Sequence, residues 1–438
     1  MNYADIINLI FTILTTIVSL FYFHFIIFAV VGLFAKKKYK KAKKQHRFAV
    51  VIPARNEEKV VGNLIESLRS ADYPQDKIDI FVMAHNCTDK TAQVSRELGA
   101  KVYEYNNDKE RTKGYALKYL FDKFKTDFEN GIEEYDGYFV FDADNLISKD
   151  YFNKMNDAFE ANGENAIITS FRNSKNFGSN LLSGMYGMYF LYGCRYEMRG
   201  RAAVGMSGRV YGTGHLMSSK VLKDGWPYVT LTEDWEFTAD QLIDEHKIKY
   251  CDEAVMYDEQ PVDFGVQWTQ RVRWQRGHLL VCKTSLGKLI KNLFNPKKKY
   301  KISTYDLCAN SLPFCLLYVF LWVGQFIMLL FSPLFGITLA PLILQMIINL
   351  GWTLLTGYIT FALSAALLFI VERKRVPKMS FFKKVAISLV FPLFMALQFP
   401  IDFVAMCSKN LTWKTIPHVD TTSVNSLKNN AEETQKTE

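Results

Sequence analysis

The sequence predicts an α/β domain built on a mostly parallel sheet and flanked by helices long enough to cross a membrane. Three observations carry this reading. Between residues 48 and 141, short apolar runs alternate with helical patterns, the signature of strands joined by helical crossovers. Residues 3–34, 306–370 and 381–406 are almost purely apolar, and each reaches or exceeds the roughly 20 residues that span hydrocarbon. The block from about 47 to 296 has ordinary globular composition, in a chain of 438 residues that has room for two or three domains.

Residues 1–35 are expected to form an N-terminal transmembrane helix. No Lys or Arg precedes the run, and it is too long for the apolar region of a cleavable signal. Residues 36–47 form a basic linker containing Lys36, Lys37, Lys38, Lys40, Lys41, Lys43 and Lys44. A basic flank beside an apolar span stays in the cytoplasm, and the 297–299 and 372–375 charges are expected on the same side. Much of the formal charge of +9 is therefore juxtamembrane and suits anionic lipid headgroups. No basic-aromatic signature points to nucleic acid. The seven cysteines show no C-x-x-C and no zinc spacing, so they read as reduced structural thiols.

Residues 48–266 make the globular domain. Strands are expected at 48–53, 78–83, 101–105 and 138–141, with helices following 58, 91 and 113. Ligands of such sheets collect at the carboxyl ends of strands, and Glu57, Asp89 and Asp142 all lie just past such ends. Residues 267–300 are basic and amphipathic, and predict one or two helices lying in the membrane surface. The 301–407 region predicts two or three spans: one from 306 to 331, a second from 339 to 370, and a third from 381 to 406 interrupted by Pro392 and Pro400. Residues 408–438 are a polar tail, expected to be disordered from Val419. A channel or transporter is disfavoured, because the apolar runs carry hardly any charge beyond Asp306 and Asp402.

The chemistry is concentrated in a few short stretches. Asp142-Ala143-Asp144 places two carboxylates just after a strand, a pattern able to hold Mg²⁺ or Mn²⁺ against a diphosphate; strand-end aspartates also form turns. Thr232-Glu233-Asp234 offers a base for an acceptor hydroxyl, or a helix N-terminus in which Thr232 caps and the acids favour the dipole. Gln270, Arg273 and Trp274 share one helical face, offering a cation for a diphosphate and an indole for a sugar, or an interfacial anchor. Lys113 opens a helix where a phosphate can bind.

With these motifs in this order, the chain resembles membrane-bound family 2 glycosyltransferases, and most of all the processive polysaccharide synthases of the hyaluronan, chitin, poly-N-acetylglucosamine and cellulose type. The resemblance rests on the 53–57 and 85–89 segments, Lys113-Gly114, Asp142-x-Asp144, Gly212-Thr213-Gly214, Thr232-Glu233-Asp234 and Gln270-x-x-Arg273-Trp274. It implies a GT-A-type fold, a UDP-sugar donor, Mg²⁺ or Mn²⁺, and inversion to a β-linkage on a glycan or glycolipid acceptor. It further implies that Asp144 holds the metal and Asp142 the donor. Glu57, His85 and Asp89 would line the nucleoside pocket, with Lys113 near the phosphates. Asp234 would be the base, beside Glu233. Gly212, Thr213 and Gly214 would shape the acceptor channel. Gln270 would lie beside Arg273 on the diphosphate, with Trp274 at the acceptor terminus. The family often has Asp where this chain has His85, whose neutral imidazole can accept one hydrogen bond from uracil. The implied setting is the plasma membrane with a cytoplasmic catalytic domain. A processive β-glycan synthase is the leading reading, and a single addition to a lipid or other acceptor the alternative. The sequence sets neither the sugar nor the oligomeric state.

Overall fold

A computed structural model describes residues 1–408 and 420–422. The tail expected to be disordered from Val419 lies, apart from 420–422, outside the described residues.

Apolar alternation builds the sheet. Strands β1 (Phe48–Ala54), β2 (Ile78–His85), β3 (Lys101–Tyr105) and β4 (Gly137–Val140) coincide with the expected runs. Four more follow: β5 (Leu146–Ile147), β6 (Ile167–Ser174), β7 (His215–Ser218) and β8 (Ile248–Asp258). Together they form one eight-stranded sheet in the order β3-β2-β1-β4-β7-β6-β8-β5. The β3-β2-β1-β4 half is parallel, as is β6 with β8, while β7 and β5 run antiparallel to their neighbours. The parallel half is buried on both faces, as crossover helices require: Phe48, Val50 and Ile52 pack into one apolar cluster, Ala49 and Val51 into the other.

The helices number in chain order. The N-terminal run forms α1 (Tyr3–Tyr22) and α2 (His24–Phe34), together one membrane-length element, Tyr3–Phe34. Around the sheet lie α3 (Val61–Arg69), α4 (Thr91–Glu97), α5 (Lys113–Asp127) and α6 (Tyr151–Asn162). Helix α7 (Leu181–Tyr192) continues through a π-helical turn, Gly193–Met198, into α8 (Arg199–Ala203). Helix α9 (Glu233–Ile243) follows the 212–214 turn, and α10 (Phe264–Phe294) follows β8. The C-terminal region holds α11 (Lys301–Ser311), α12 (Phe314–Leu329), α13 (Leu339–Val371), α14 (Phe381–Ala396) and α15 (Gln398–Cys407).

Three of these elements are long and apolar enough to cross a membrane: Tyr3–Phe34, Leu339–Val371 and Phe381–Cys407. The single span expected over 306–331 is instead broken. Helices α11 and α12 meet at 62°, and Pro313 stands at the break, where it removes a donor and disfavours helix in the residue before it. Helix α11 packs on α10 and α9, with Leu307 and Cys308 in the cluster of Trp235, Leu242 and Val281. The 267–300 segment is one continuous helix over most of its length. Its basic residues do not share one polar face: Arg271 is buried, donating to Phe394 O at 3.0 Å and Gln398 Oε1 at 3.1 Å. The juxtamembrane charges also turn inward in part, since Arg375 pairs with buried Asp252 at 3.0 Å and Glu372 with Arg195 at 2.6 Å.

Candidate active site

One cavity of about 420 Å³ opens beyond the carboxyl ends of β1, β2 and β4 and runs toward the C-terminal helices. It is lined by Arg55, Glu57, His85 and Arg111 from the nearby loops, by the charged groups Lys113, Asp142, Asp144, Arg172, Asp258 and Arg273, and by Tyr189, Tyr192, Trp235, Trp274, Asn310 and Met395.

Strand β4 delivers Asp142 and Asp144. Thr213 pins that loop: its hydroxyl accepts from Asp142 N at 2.9 Å and donates to Asn145. Asp144 accepts from Glu259 N at 2.9 Å and from the Asn145 amide at 3.2 Å. Lys113, at the start of α5, donates to Asp142 and to Gly212 O at 2.7 Å, and lies 3.9 Å from Glu233. It therefore ties the two acidic motifs together.

Glu233 and Asp234 occupy the first turn of α9. The Thr232 hydroxyl makes no cap hydrogen bond, so the capping alternative fails at the side chain although the helix start is where it places it. Thr232 is instead pressed against Gly277 of α10, where a Cβ would lie 2.3 Å from its side chain. That close approach seats α10 against α9 and brings Arg273 to the acids. Burial pushes the Glu233 carboxyl up to about 7 and raises Asp234 as well, with the Lys113 ammonium opposing both shifts. Burial lowers Arg273, opposed by Glu233, Asp234 and Asp142. Gln270 accepts from Tyr186 Oη at 2.9 Å, and Trp274 packs edge-on against Tyr186 and Phe190.

Glu57, His85, Lys113, Asp142, Asp144, Gly212, Glu233, Asp234, Gln270, Arg273 and Trp274 thus share this cavity. Asp89, Thr213 and Gly214 do not line it. The Asp89 carboxylate holds a turn, accepting from Glu58 N at 3.1 Å and Thr91 N at 3.0 Å, and Gly214 O accepts from Tyr151 and Ser170 in the core. His85 lines the cavity with its ring engaged within the protein. Its Nε2 already accepts from the Asn86 amide at 3.2 Å, and Asn86 is oriented by both backbone groups of Asn107. Its ring stacks on Tyr105, and burial holds it neutral by lowering its pKa. The acceptor assigned to uracil is engaged inside the protein, and the cationic Arg55 and Arg111 line the same cavity.

Sequence reasoning missed Arg172 and Asp258, at the ends of β6 and β8. Arg172 Nε donates to Asp258 Oδ2 at 2.6 Å, and the guanidinium covers the Phe190 ring at 3.8 Å. The strand-end rule that found Asp142 also applies to Asp258, but β8 itself was not foreseen. Burial pushes Asp258 up to about 6; Arg172 opposes the shift, and Asp144 and Asp142 add to it. This crowding of carboxylates is what a hard divalent cation relieves. Among the described residues no group of three His, Cys, Asp or Glu side chains is placed to hold a metal ion; Asp142 and Asp144 offer oxygen donors of the kind Mg²⁺ or Mn²⁺ takes.

Residues 46–277 match the model of the glycosyltransferase-like family 2. The chain belongs to this family. Its matched segment is an α/β domain of that family, and its fold is GT-A-like. It is 27% identical over 259 residues to a probable glycosyltransferase, YdaM, of Bacillus subtilis, covering 56% of this chain and 58% of the relative. It is 23% identical over 235 residues to β-monoglucosyldiacylglycerol synthase of Synechocystis, covering 52% and 47%. The match thus spans about half the length of these relatives. In fold it is similar to a mannosyltransferase, PcManGT, of Pyrobaculum calidifontis solved with GDP-Man and Mn²⁺. The TM-score is 0.54 and the identity 15%, over 90% of this chain and 99% of the other.

Proposed function

We propose that this protein transfers one sugar from a UDP-sugar to a membrane lipid, with inversion to a β-linkage. The observation that carries the reading is the composition of the 420 Å³ cavity. The carboxylates of β4 and α9 share it with Met395 of α14, which lies in the membrane-length element Phe381–Cys407, so the reacting centre opens toward a helix of membrane length. The diacylglycerol-glucosylating relative supports a lipid acceptor, which favours single addition over the processive synthesis that the motif order alone suggests.

In this reading the catalytic domain faces the cytoplasm at the cell membrane. Asp234 takes the proton of the acceptor hydroxyl, and Glu233 shares its pocket. Arg273 neutralises the leaving diphosphate, with Gln270 beside it, and Trp274 packs on the acceptor. Glu57, Arg55 and Arg111 hold the nucleoside end. Asp144 and Asp142 would hold Mg²⁺ or Mn²⁺, whose chemistry is to neutralise charge on the leaving group. Lys113 keeps Asp142 and the acid pair in register.

The test is product length. Purified protein in mixed micelles receives a panel of UDP-sugars, diacylglycerol or a monoglycosyl lipid, and either metal. A lipid enlarged by one hexose, read by mass, is the expected product, whereas a long glycan would restore the processive reading favoured by Gln270-x-x-Arg273-Trp274.

A further inference from the structure

Part of the 420 Å³ cavity is lined by side chains that the transfer step does not use. They are Glu197 from the π-helical turn, Arg209 and Tyr211 ahead of Gly212, Trp235 of α9, His278 of α10 and Asn310 of α11. They form one connected group. Arg209 pairs with Glu197 and donates to Asn310 Oδ1 at 2.6 Å, and its guanidinium lies 5.6 Å from the Trp235 ring. Trp235 stacks on His278 with ring centres 4.4 Å apart. The Tyr211 hydroxyl faces the π-helical turn, 3.6 Å from where a Cβ on Gly193 would stand. The group adjoins the reacting centre: Trp235 follows Asp234, and a Cβ on Gly212 would lie 3.6 Å from the Asp234 carboxylate. Helical turns of the π type recur at functional sites.

Much of the group's hydrogen-bonding capacity is open. Arg209 is 8% exposed and Trp235 4%, yet Arg209 Nε and Trp235 Nε1 have no partner among the described residues. Buried donors are costly unless something bound serves them. Among the described residues the Tyr211 hydroxyl and the His278 ring make no hydrogen bond either. Burial lowers His278 to about 4, so its neutral ring offers one donor and one acceptor. Only Oε2 of Glu197 is engaged, by Arg201 at 3.1 Å and by Arg209. Charge is balanced here, with Arg201 and Arg209 against Glu197 and Asp306. A phosphate would face the Glu197 carboxylate. A neutral pyranose instead brings several hydroxyls, each both donor and acceptor, and a C–H face for the aromatic rings. Diacylglycerol brings one hydroxyl, the one that reacts, and serves none of these groups.

We propose that this group seats the sugar of an already glycosylated lipid, so that the preferred acceptor is a monoglycosyl lipid and not diacylglycerol. The inference rests on the lipid-acceptor reading above and narrows it. A hydroxyl oxygen of the seated sugar bonds the donor's anomeric carbon as that carbon's bond to the diphosphate oxygen breaks. The electron pair leaves with UDP, and the proton goes to Asp234. In the test, purified protein in mixed micelles receives a UDP-sugar with Mg²⁺ or Mn²⁺ and, in parallel, monoglucosyl diacylglycerol or diacylglycerol. We expect kcat/KM for the glycolipid to exceed that for diacylglycerol by about 10²-fold or more, because a site built to bond hydroxyls rejects an analogue that lacks them. Tyr211→Phe and His278→Phe keep an aromatic ring and remove the hydrogen-bonding atoms. Each should lower that ratio about tenfold, the scale of one lost hydrogen bond, mainly through KM for the glycolipid. Melting temperature and UDP affinity by calorimetry check that the variants are folded. Equal rates on the two lipids, a preference for diacylglycerol, or folded variants that keep the wild-type ratio would overturn the proposal and leave the lipid-acceptor reading standing. Transfer to neither lipid would overturn both.

Discussion

Glu233 and Asp234 lie adjacent in a buried first turn of α9, where desolvation favours their protonated forms and Lys113 pulls the other way. A base must be ionised to work, so the pair has to lose a proton near neutrality. Asp234→Asn is therefore expected to bind UDP normally and lose turnover by about 10²–10⁴-fold; calorimetry beside a single-turnover assay checks both, and equal activity would remove Asp234 as base. The same burial predicts a pH effect on stability. Glu233 has its carboxyl near 7 when folded, against 4.5 for a free glutamate, so the native state binds more protons between those values. Stability from this group is full below 4.5 and is lost as pH rises through 7. Melting curves of wild type and Glu233→Gln should converge near pH 5 and separate toward pH 7, with the variant higher; parallel curves would contradict the assignment. The acids, Lys113 and the Arg-Trp motif were legible in the sequence because each is a charged or aromatic group at a recognisable chain position. Arg172 and the engagement of His85 were not, because both depend on neighbours distant in the chain.

Helix α10 shows how an element sets the site. It starts where Asp263 accepts from Val266 N at 2.9 Å, and it must pass close to α9 to bring Arg273 beside the acids. Gly277 permits this, and any side chain there meets Thr232. Gly277→Ala is expected to cost about 1–3 kcal/mol by overpacking and to lower kcat more than donor affinity, because α10 is displaced while the loops after β1 and β2 are not. A thermal melt with a kcat-against-KM comparison checks this, and a wild-type kcat would contradict the close fit. Among strands, β1 to β4 were legible because parallel strands buried on both faces read as unbroken apolar runs. The β5 to β8 half was not. Its pairings mix parallel and antiparallel neighbours, and the sequence within β6, with Thr169, Ser170, Arg172, Asn173 and Ser174, carries no such run.

At the scale of the whole molecule, the catalytic domain is locked to the apolar helices by close packing and buried charge. A Cβ on Gly200 would lie 2.2 Å from Phe28 O, and one on Gly32 2.2 Å from Arg195 O, so α2 crosses α8 and the π-turn backbone to backbone. Beside this crossing Asp306 holds Arg201 through bonds of 2.7 and 2.9 Å and meets His24 at 3.1 Å. Removing one partner of such a pair strands the other charge. Asp306→Ala is expected to cost about 3–5 kcal/mol, and Asp306→Leu/Arg201→Met to recover most of it. Melting temperatures in detergent decide this, and a single variant as stable as wild type would show the pair to be slack.

By itself the sequence determined the α/β class, the membrane-length helices at both ends and most of the charged and aromatic residue types that line the cavity. These follow from local properties: strand and helix periodicity, hydropathy over about 20 residues, and motif spacing. The tertiary structure alone decided which predicted residues reach the cavity. It withdrew Asp89, Thr213 and Gly214 into turns and core, added Arg172 and Asp258, and broke the 306–331 run at Pro313 so that α11 closes the catalytic domain. The physical reason is that burial, close backbone approach and hydrogen-bond saturation are properties of pairs of segments far apart in the chain, and no single stretch encodes them.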